Sequence, residues 1–125
     1  MAIKDDIQEL LSRYAGAVRG ADVGAVVDCF TSDAVVMAPA VPTAVGRDGV
    51  KALYGQIFAA VKLDISFTVD LVVDADQPVA LTHSTGTQTD VSSGAGSPEA
   101  NREVFVFRRD GGALEISHYL FNTVA

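Results

Sequence analysis

The hydrophobic period of this chain changes once, between residues 61 and 65, and that change dictates the order of its elements. Before it, apolar side chains recur every three to four residues. After it, they alternate. Ile3, Ile7, Leu10, Leu11, Tyr14, Ala15 and Val18 keep the helical period, so residues 3–19 read as an amphipathic helix stopped by Gly20. Asp22 is placed to cap a short second helix running through Phe30, with Val23, Val26, Val27 and Phe30 inward. Ser32-Asp33 reads as a turn, and 34–38 as a short apolar strand broken by Pro39 and Pro42. Gly46-Arg47-Asp48-Gly49 leads into a third helix whose buried stripe is Val50, Leu53, Tyr54, Ile57, Phe58 and Val61.

Beyond it, Ile65, Phe67, Val69, Leu71 and Val73 alternate with polar residues and form one face of a strand. A turn at 74–78 leads to a Thr-rich strand at 79–89, where Gly86 marks a bulge. The Ser/Gly-rich stretch 92–98 is a flexible hairpin loop or pocket lip, too short for a domain linker. Two more strands, 101–109 and 113–123, flank the tight turn Asp110-Gly111-Gly112. Helices followed by turn-connected strands predict an α+β fold with an antiparallel sheet. The 125 residues read as a single domain, 1–125.

Long strands in a small domain must curl, because sheets twist. The expectation is a cone-shaped barrel of strongly curved antiparallel sheet, with three helices over an internal pocket. If Glu103, Phe105, Tyr119 and Phe121 face into the cone, Val104, Val106, Ile116 and Leu120 face out, and no helix remains to cover them. A homodimer through the outer sheet face is therefore expected.

Charge and composition narrow the function. A net charge of −7 repels phosphate backbones, which argues against nucleic acid. No apolar run approaches a membrane span and the first residues lack a signal-peptide layout, so a cytoplasmic location without membrane contact is expected. Cys29 is the sole cysteine and reads as a buried, inert thiol. The two histidines lack metal-ligand spacing, and no glycine pattern matches a phosphate or dinucleotide loop, so neither metal nor cofactor is expected.

Three residues carry the candidate chemistry. Tyr14 is either a core tyrosine or a pocket-facing hydroxyl. Glu103, among Val104, Phe105 and Phe107, is either protonated with a raised pKa or paired with a cation, since a bare buried carboxylate is costly. Arg102 beside it should point to the opposite face. His83 shares a face with Leu81 and Thr85; if Leu81 points inward, so does the imidazole, a natural general base. Tyr54, Phe58, Thr85, Phe105, Tyr119 and Phe121 are candidate ligand-binding walls, and His118 should face outward, opposite Tyr119.

The run Arg13-Tyr14, Asp22-Val23, Phe30, Ser32-Asp33-Ala34-Val35-Val36, Pro39 and Gly46-Arg47-Asp48 resembles the nuclear transport factor 2-like superfamily, which includes ketosteroid isomerase and SnoaL-like polyketide cyclases. The tail, from Glu103-Val104-Phe105-Val106-Phe107 to Ser117-His118-Tyr119-Leu120-Phe121-Asn122, looks most like its SgcJ/EcaC-type subgroup. The resemblance implies that Tyr14 falls at the oxyanion tyrosine of ketosteroid isomerase and Glu103 at its protonated acid, one methylene longer. The isomerase base position is held by Ala38, which accepts no proton. Three readings are thus open: a cofactor-independent acid–base isomerase or cyclase acting on a hydrophobic, polyketide-like or carbonyl substrate through Tyr14, His83 and Glu103, a non-catalytic module binding a hydrophobic small molecule, or a dimeric scaffold whose cone is filled.

Overall fold

The computed structural model describes residues 2–124, with the backbone alone at position 110. Met1 and Ala125, the ends of the expected domain, lie outside the described residues. The elements are helices α1 (Ile3–Arg19), α2 (Val23–Val27) and α3 (Gly46–Ala60), and strands β1 (Phe30–Met37), β2 (Ala44–Val45), β3 (Val61–Val73), β4 (Val79–Asp90), β5 (Gly96–Asp110) and β6 (Ala113–Thr123). The strands make one six-stranded sheet in the order β2-β1-β6-β5-β4-β3. The fold is α+β, as expected, with two corrections. The sheet is mixed, because β1 runs parallel to β6. It is also curved but open, with β2 and β3 as edges, so it is no closed barrel.

α1 buries Ile7, Leu10, Leu11, Tyr14, Ala15, Ala17 and Val18, the stripe its 3.6-residue period dictates. It ends at Arg19 with Gly20 as its C-cap, as expected; Gly20 itself is right-handed, and the chain reverses at Ala21, a non-glycine with φ 51°. Asp22 caps α2 by accepting from the Ala25 amide at 3.0 Å. That helix stops at Val27 rather than reaching Phe30, because Phe30 is taken into the sheet, where the Cys29 carbonyl accepts from the Ile116 amide at 2.8 Å. The expected turn at Ser32-Asp33 is instead an irregularity inside β1, where the register against β6 shifts between Phe30 and Val35. Thr31 donates to Asp33 at 2.9 Å, and Arg108 donates to the same carboxylate at 2.7 Å.

Two bulges decide which side chains face the core. The first, between Val69 and Leu71 in β3, sends Leu71 and Val73 to the outer face, although Ile65, Phe67 and Val69 face in. The second, opposite Val106 and Phe107, turns Ile116 inward to full burial, against the expected outer placement. Gly86 is not a bulge. It stays in register opposite Ile65, and a Cβ there would lie 1.8 Å from the Asp64 carbonyl oxygen, so only glycine fits where β3 and β4 cross so closely. The stretch expected as a loop at 92–98 is shorter, because β5 begins at Gly96.

The helices sit on the concave side, where one continuous core of side chains from α1, α3, β1, β5 and β6 gathers. The hollow of the cone is plugged by aromatic rings. Tyr14 meets Phe30, Tyr54, Phe67 and Tyr119 at centroid distances of 5.8–6.1 Å. Phe105 stacks on Tyr119 at 4.2 Å and lies 5.8 Å from Phe107.

Candidate functional site

What the rings leave is a cavity of about 50 Å³, lined by Tyr14, Val18, Tyr54, Ile57, Leu63, Ile65, Glu99, Asn101, Tyr119 and Phe121. α1 supplies Tyr14 because positions 7, 10, 11, 14 and 18 share one helical face. α3 supplies Tyr54 from the same kind of stripe. β5 and β6 supply Asn101, Tyr119 and Phe121, the inward members of their alternation.

Polar chemistry at the cavity begins with three phenols. The Tyr14 and Tyr54 hydroxyls share a short hydrogen bond, and the Tyr119 ring lies edge-on to Tyr14 at 5.9 Å. Burial, and then the neighbouring phenols, push Tyr14 well above the ordinary tyrosine range. Burial does the same to Tyr54, partly offset by its bond to Tyr14, and to Tyr119, where Tyr54 and Glu103 add to the rise. All three are therefore neutral donors at physiological pH. None is a ready base.

Glu103 is the one buried ionisable carboxyl among the described residues, 3% exposed on the inner face of β5. Thr82 donates to its Oε1 at 2.6 Å and Ser84 to its Oε2 at 2.5 Å. Both donors come from β4, whose inward residues Ala80, Thr82 and Ser84 lie beside Phe105, Glu103 and Asn101. Burial raises the carboxyl's pKa; the two hydroxyls and His83 pull it back, and the net direction is upward. Each oxygen retains a lone pair beyond its hydroxyl partner. The expected alternatives were a protonated acid or a cation pair. The observed partners are two hydroxyls rather than a cation, and the raised pKa agrees in direction with the first alternative.

His83 is not part of this constellation. Leu81 is 40% exposed on the outer face, and His83 lies on that face with it. The imidazole is exposed, its Nδ1 2.8 Å from Asp70 Oδ2 across the β3–β4 ladder. The expectation that Tyr14, His83 and Glu103 project together is corrected accordingly: Tyr14 lines the cavity, Glu103 is buried on the same concave side without lining it, and His83 lies on the opposite face. The reason is register, which a Thr-rich strand specifies weakly in sequence. Thr85 follows His83 outward and lines no part of the cavity. Of the other expected walls, Tyr54, Tyr119 and Phe121 line the cavity, Phe58 packs half-buried against Tyr54 at 5.8 Å, and Phe105 is fully buried behind Tyr119. His118 faces outward as read, bonded to Ser117 at 2.9 Å. Arg102 also faces outward and donates to Asn122 at 3.2 Å.

Sequence reasoning passed over Thr82, Ser84 and Asn101, all buried on the inner face. The signal was present: strict alternation back from Phe105 through Glu103 reaches Asn101, and Thr82 and Ser84 alternate against exposed Leu81 and His83. Cys29 is fully buried and donates to the Ala25 carbonyl at 3.4 Å, with burial holding its thiol pKa up. Among the described residues no three His, Cys, Asp or Glu side chains gather as metal ligands would. No described helix is long and apolar enough to cross a membrane.

A family model described as a SnoaL-like domain matches residues 11–116. Among solved structures, a ketosteroid isomerase-like protein from Erwinia carotovora atroseptica superposes with a TM-score of 0.87 at 30% identity, covering 95% of this chain and 94% of that one. ActVI-ORFA from Streptomyces coelicolor gives 0.83 at 14% identity over 98% of each chain. A hexachlorocyclohexane dehydrochlorinase gives 0.82 at 18% identity, over 98% of this chain and 88% of that one. The last two establish likeness of fold alone. No curated protein matches the chain significantly.

Proposed function

The chain belongs to the SnoaL-like domain family, of nuclear transport factor 2-like fold, and from that premise we propose that it is a small-molecule pocket protein performing cofactor-independent proton transfer on a hydrophobic carbonyl compound, in the manner of an isomerase or cyclase. The observation that carries this reading is the burial on the concave side of Glu103, the one buried carboxyl among the described residues, and of three phenols that line the cavity. A carbonyl oxygen accepting from the phenol cluster would be stabilised as its negative charge develops, because a dry site makes each donor stronger. Glu103, whose ionised form burial makes a stronger base, would take the proton from the adjacent carbon. The tail motif Glu103 to Asn122 supports placing the chain in the SgcJ/EcaC-type subgroup, and a polyketide-like substrate would suit the aromatic walls.

Deuterium incorporation next to the carbonyl of acetophenone in D2O, followed by NMR, tests the chemistry. Catalysed exchange is expected in the wild type, and a fall of about 100-fold or more in Glu103→Gln. Binding without exchange would sink the enzyme reading. It would leave the second reading, a non-catalytic hydrophobic-ligand module, which Ala38 at the expected base position and the outward His83 favour.

The reading extends to assembly and place. The outer sheet face carries Leu71, Val73, Leu81, Leu120 and Met37, each about half exposed, around a groove of about 430 Å³ lined by Leu81, Val104 and Leu120. Both long helices pack on the other side, so a second copy of the chain would cover this face, as a homodimer in the cytoplasm. Sedimentation should give a dimer that Leu120→Glu converts to monomer. A monomeric wild type at tens of micromolar would defeat this part.

A further inference from the structure

Asn101 is 5% exposed, lines the cavity, and its Oδ1 is the one buried side-chain oxygen or nitrogen among the described residues without a hydrogen-bond partner. Its amide orientation is fixed by its neighbours. Nδ2 donates to Glu99 Oε1 at 3.2 Å and to Ser84 Oγ at 3.4 Å. Turning the amide over would press Oδ1 against the Glu99 carboxylate, so the unpaired atom must be the acceptor. An unpaired buried carbonyl oxygen is costly, and it persists where something else supplies the donor.

The polar groups around the cavity fall into two kinds. The cavity-lining residues Asn101 and Glu99, with Glu103 next along β5, present acceptors. Tyr14, Tyr54 and Tyr119 are neutral hydroxyls, the first two joined by a hydrogen bond. Three hydroxyl protons serving that one link leave protons over, so the cluster can donate outward. A carboxylate or phosphate ligand would meet the Glu99 carboxylate and be repelled. A bare hydrocarbon would leave both Asn101 Oδ1 and the spare phenol proton unpaired. We propose that Asn101 is the specificity-determining residue of this pocket, selecting neutral hydroxycarbonyl compounds whose hydroxyl donates to Asn101 Oδ1 while their carbonyl accepts from the tyrosine cluster. This rests on the small-molecule pocket reading and names its ligand class. The cavity, at about 50 Å³, has room for only a few water-sized groups. A ring-bearing ligand therefore enters by displacing Ile57, Leu63 or Phe121, the half-buried walls.

The experiment compares binding of 4-hydroxyacetophenone, acetophenone and 4-hydroxybenzoate by NMR titration, in the wild type, Asn101→Leu and Asn101→Thr. The wild type should prefer the hydroxyketone to acetophenone by about tenfold or more, the penalty of leaving a buried acceptor unpaired, and should bind the benzoate weakest. Asn101→Leu should lose or invert the preference for the hydroxyl. Asn101→Thr, which keeps an acceptor in a smaller side chain, should retain part of it and serves if the leucine variant fails to fold. Equal wild-type affinity for the two ketones, or a preference that survives Asn101→Leu, overturns the proposal while leaving the pocket intact. If none of the three compounds binds, the pocket reading itself falls, and the unpaired oxygen is met by solvent alone.

Discussion

Val104 and Phe105 are neighbours in β5 with opposite surroundings. Phe105 is fully buried, stacked on Tyr119 and Phe107 beneath the helices, whereas Val104 looks out over a groove edged by Leu81 and Leu120. Both faces of the sheet are rich in apolar side chains, yet only the concave one has a layer of helices to pack against. The difference extends to the charged groups. On the concave face Glu103 is held by two hydroxyls at 2.5–2.6 Å in a dry setting. On the convex face His83 and Asp70 form an exposed pair at 2.8 Å, in water that weakens it. Similar residue types thus become core and candidate site on one side and surface on the other. The lesson is that burial, rather than residue identity, gives a side chain its chemistry here.

Truncation on the two faces should separate most widely. Phe105→Ala should cost about 3–5 kcal/mol in urea unfolding, since it empties the middle of a ring stack. Leu120→Ala should cost about 0.5 kcal/mol or less if the outer face is bare. A larger loss that grows with protein concentration would instead show a partner bound there. Equal costs at the two positions would break the comparison.

The next effect is a pH dependence confined to the concave face. Folding raises the Glu103 pKa, so the native state favours the protonated form. Stability from this group is therefore greatest below the unfolded value of about 4.3 and declines as pH rises from there through the folded value. Thermal melts of Glu103→Gln should lack that decline. Thr82→Val should deepen it, costing about 1–3 kcal/mol above the folded pKa by leaving an ionised oxygen short of a donor. Identical pH profiles in wild type and Glu103→Gln would show that the carboxyl is not stressed by burial.

The smallest effect belongs to the convex pair. His83→Ala should change stability by less than about 1 kcal/mol and should leave proton exchange on a carbonyl probe unaltered. A loss of exchange approaching that of Glu103→Gln would place the imidazole at the site, against its position on the convex face.

Periodicity alone settled much of this molecule. The stripe from Ile7 to Val18 made α1 and aimed Tyr14 at the sheet. The alternation through Glu103, Phe105 and Phe107 put the carboxyl on the buried face. Those are local properties, set by 3.6 residues per helical turn and two per strand repeat, and they survive any tertiary arrangement. What only the folded chain decided were quantities that local pattern does not carry. Two bulges reassigned Leu71, Val73 and Ile116, because one extra residue reverses every side chain beyond it. The β3–β4–β5 register turned Leu81, His83 and Thr85 outward and brought Thr82, Ser84 and Asn101 to Glu103. The parallel pairing of β1 with β6, between segments about 80 residues apart, made the sheet mixed, and β2 and β3 at its edges left it open. The size of the hollow was likewise decided by how ten side chains from α1, α3, β3, β5 and β6 pack together in three dimensions, a sum of volumes and contacts that no single stretch of sequence contains.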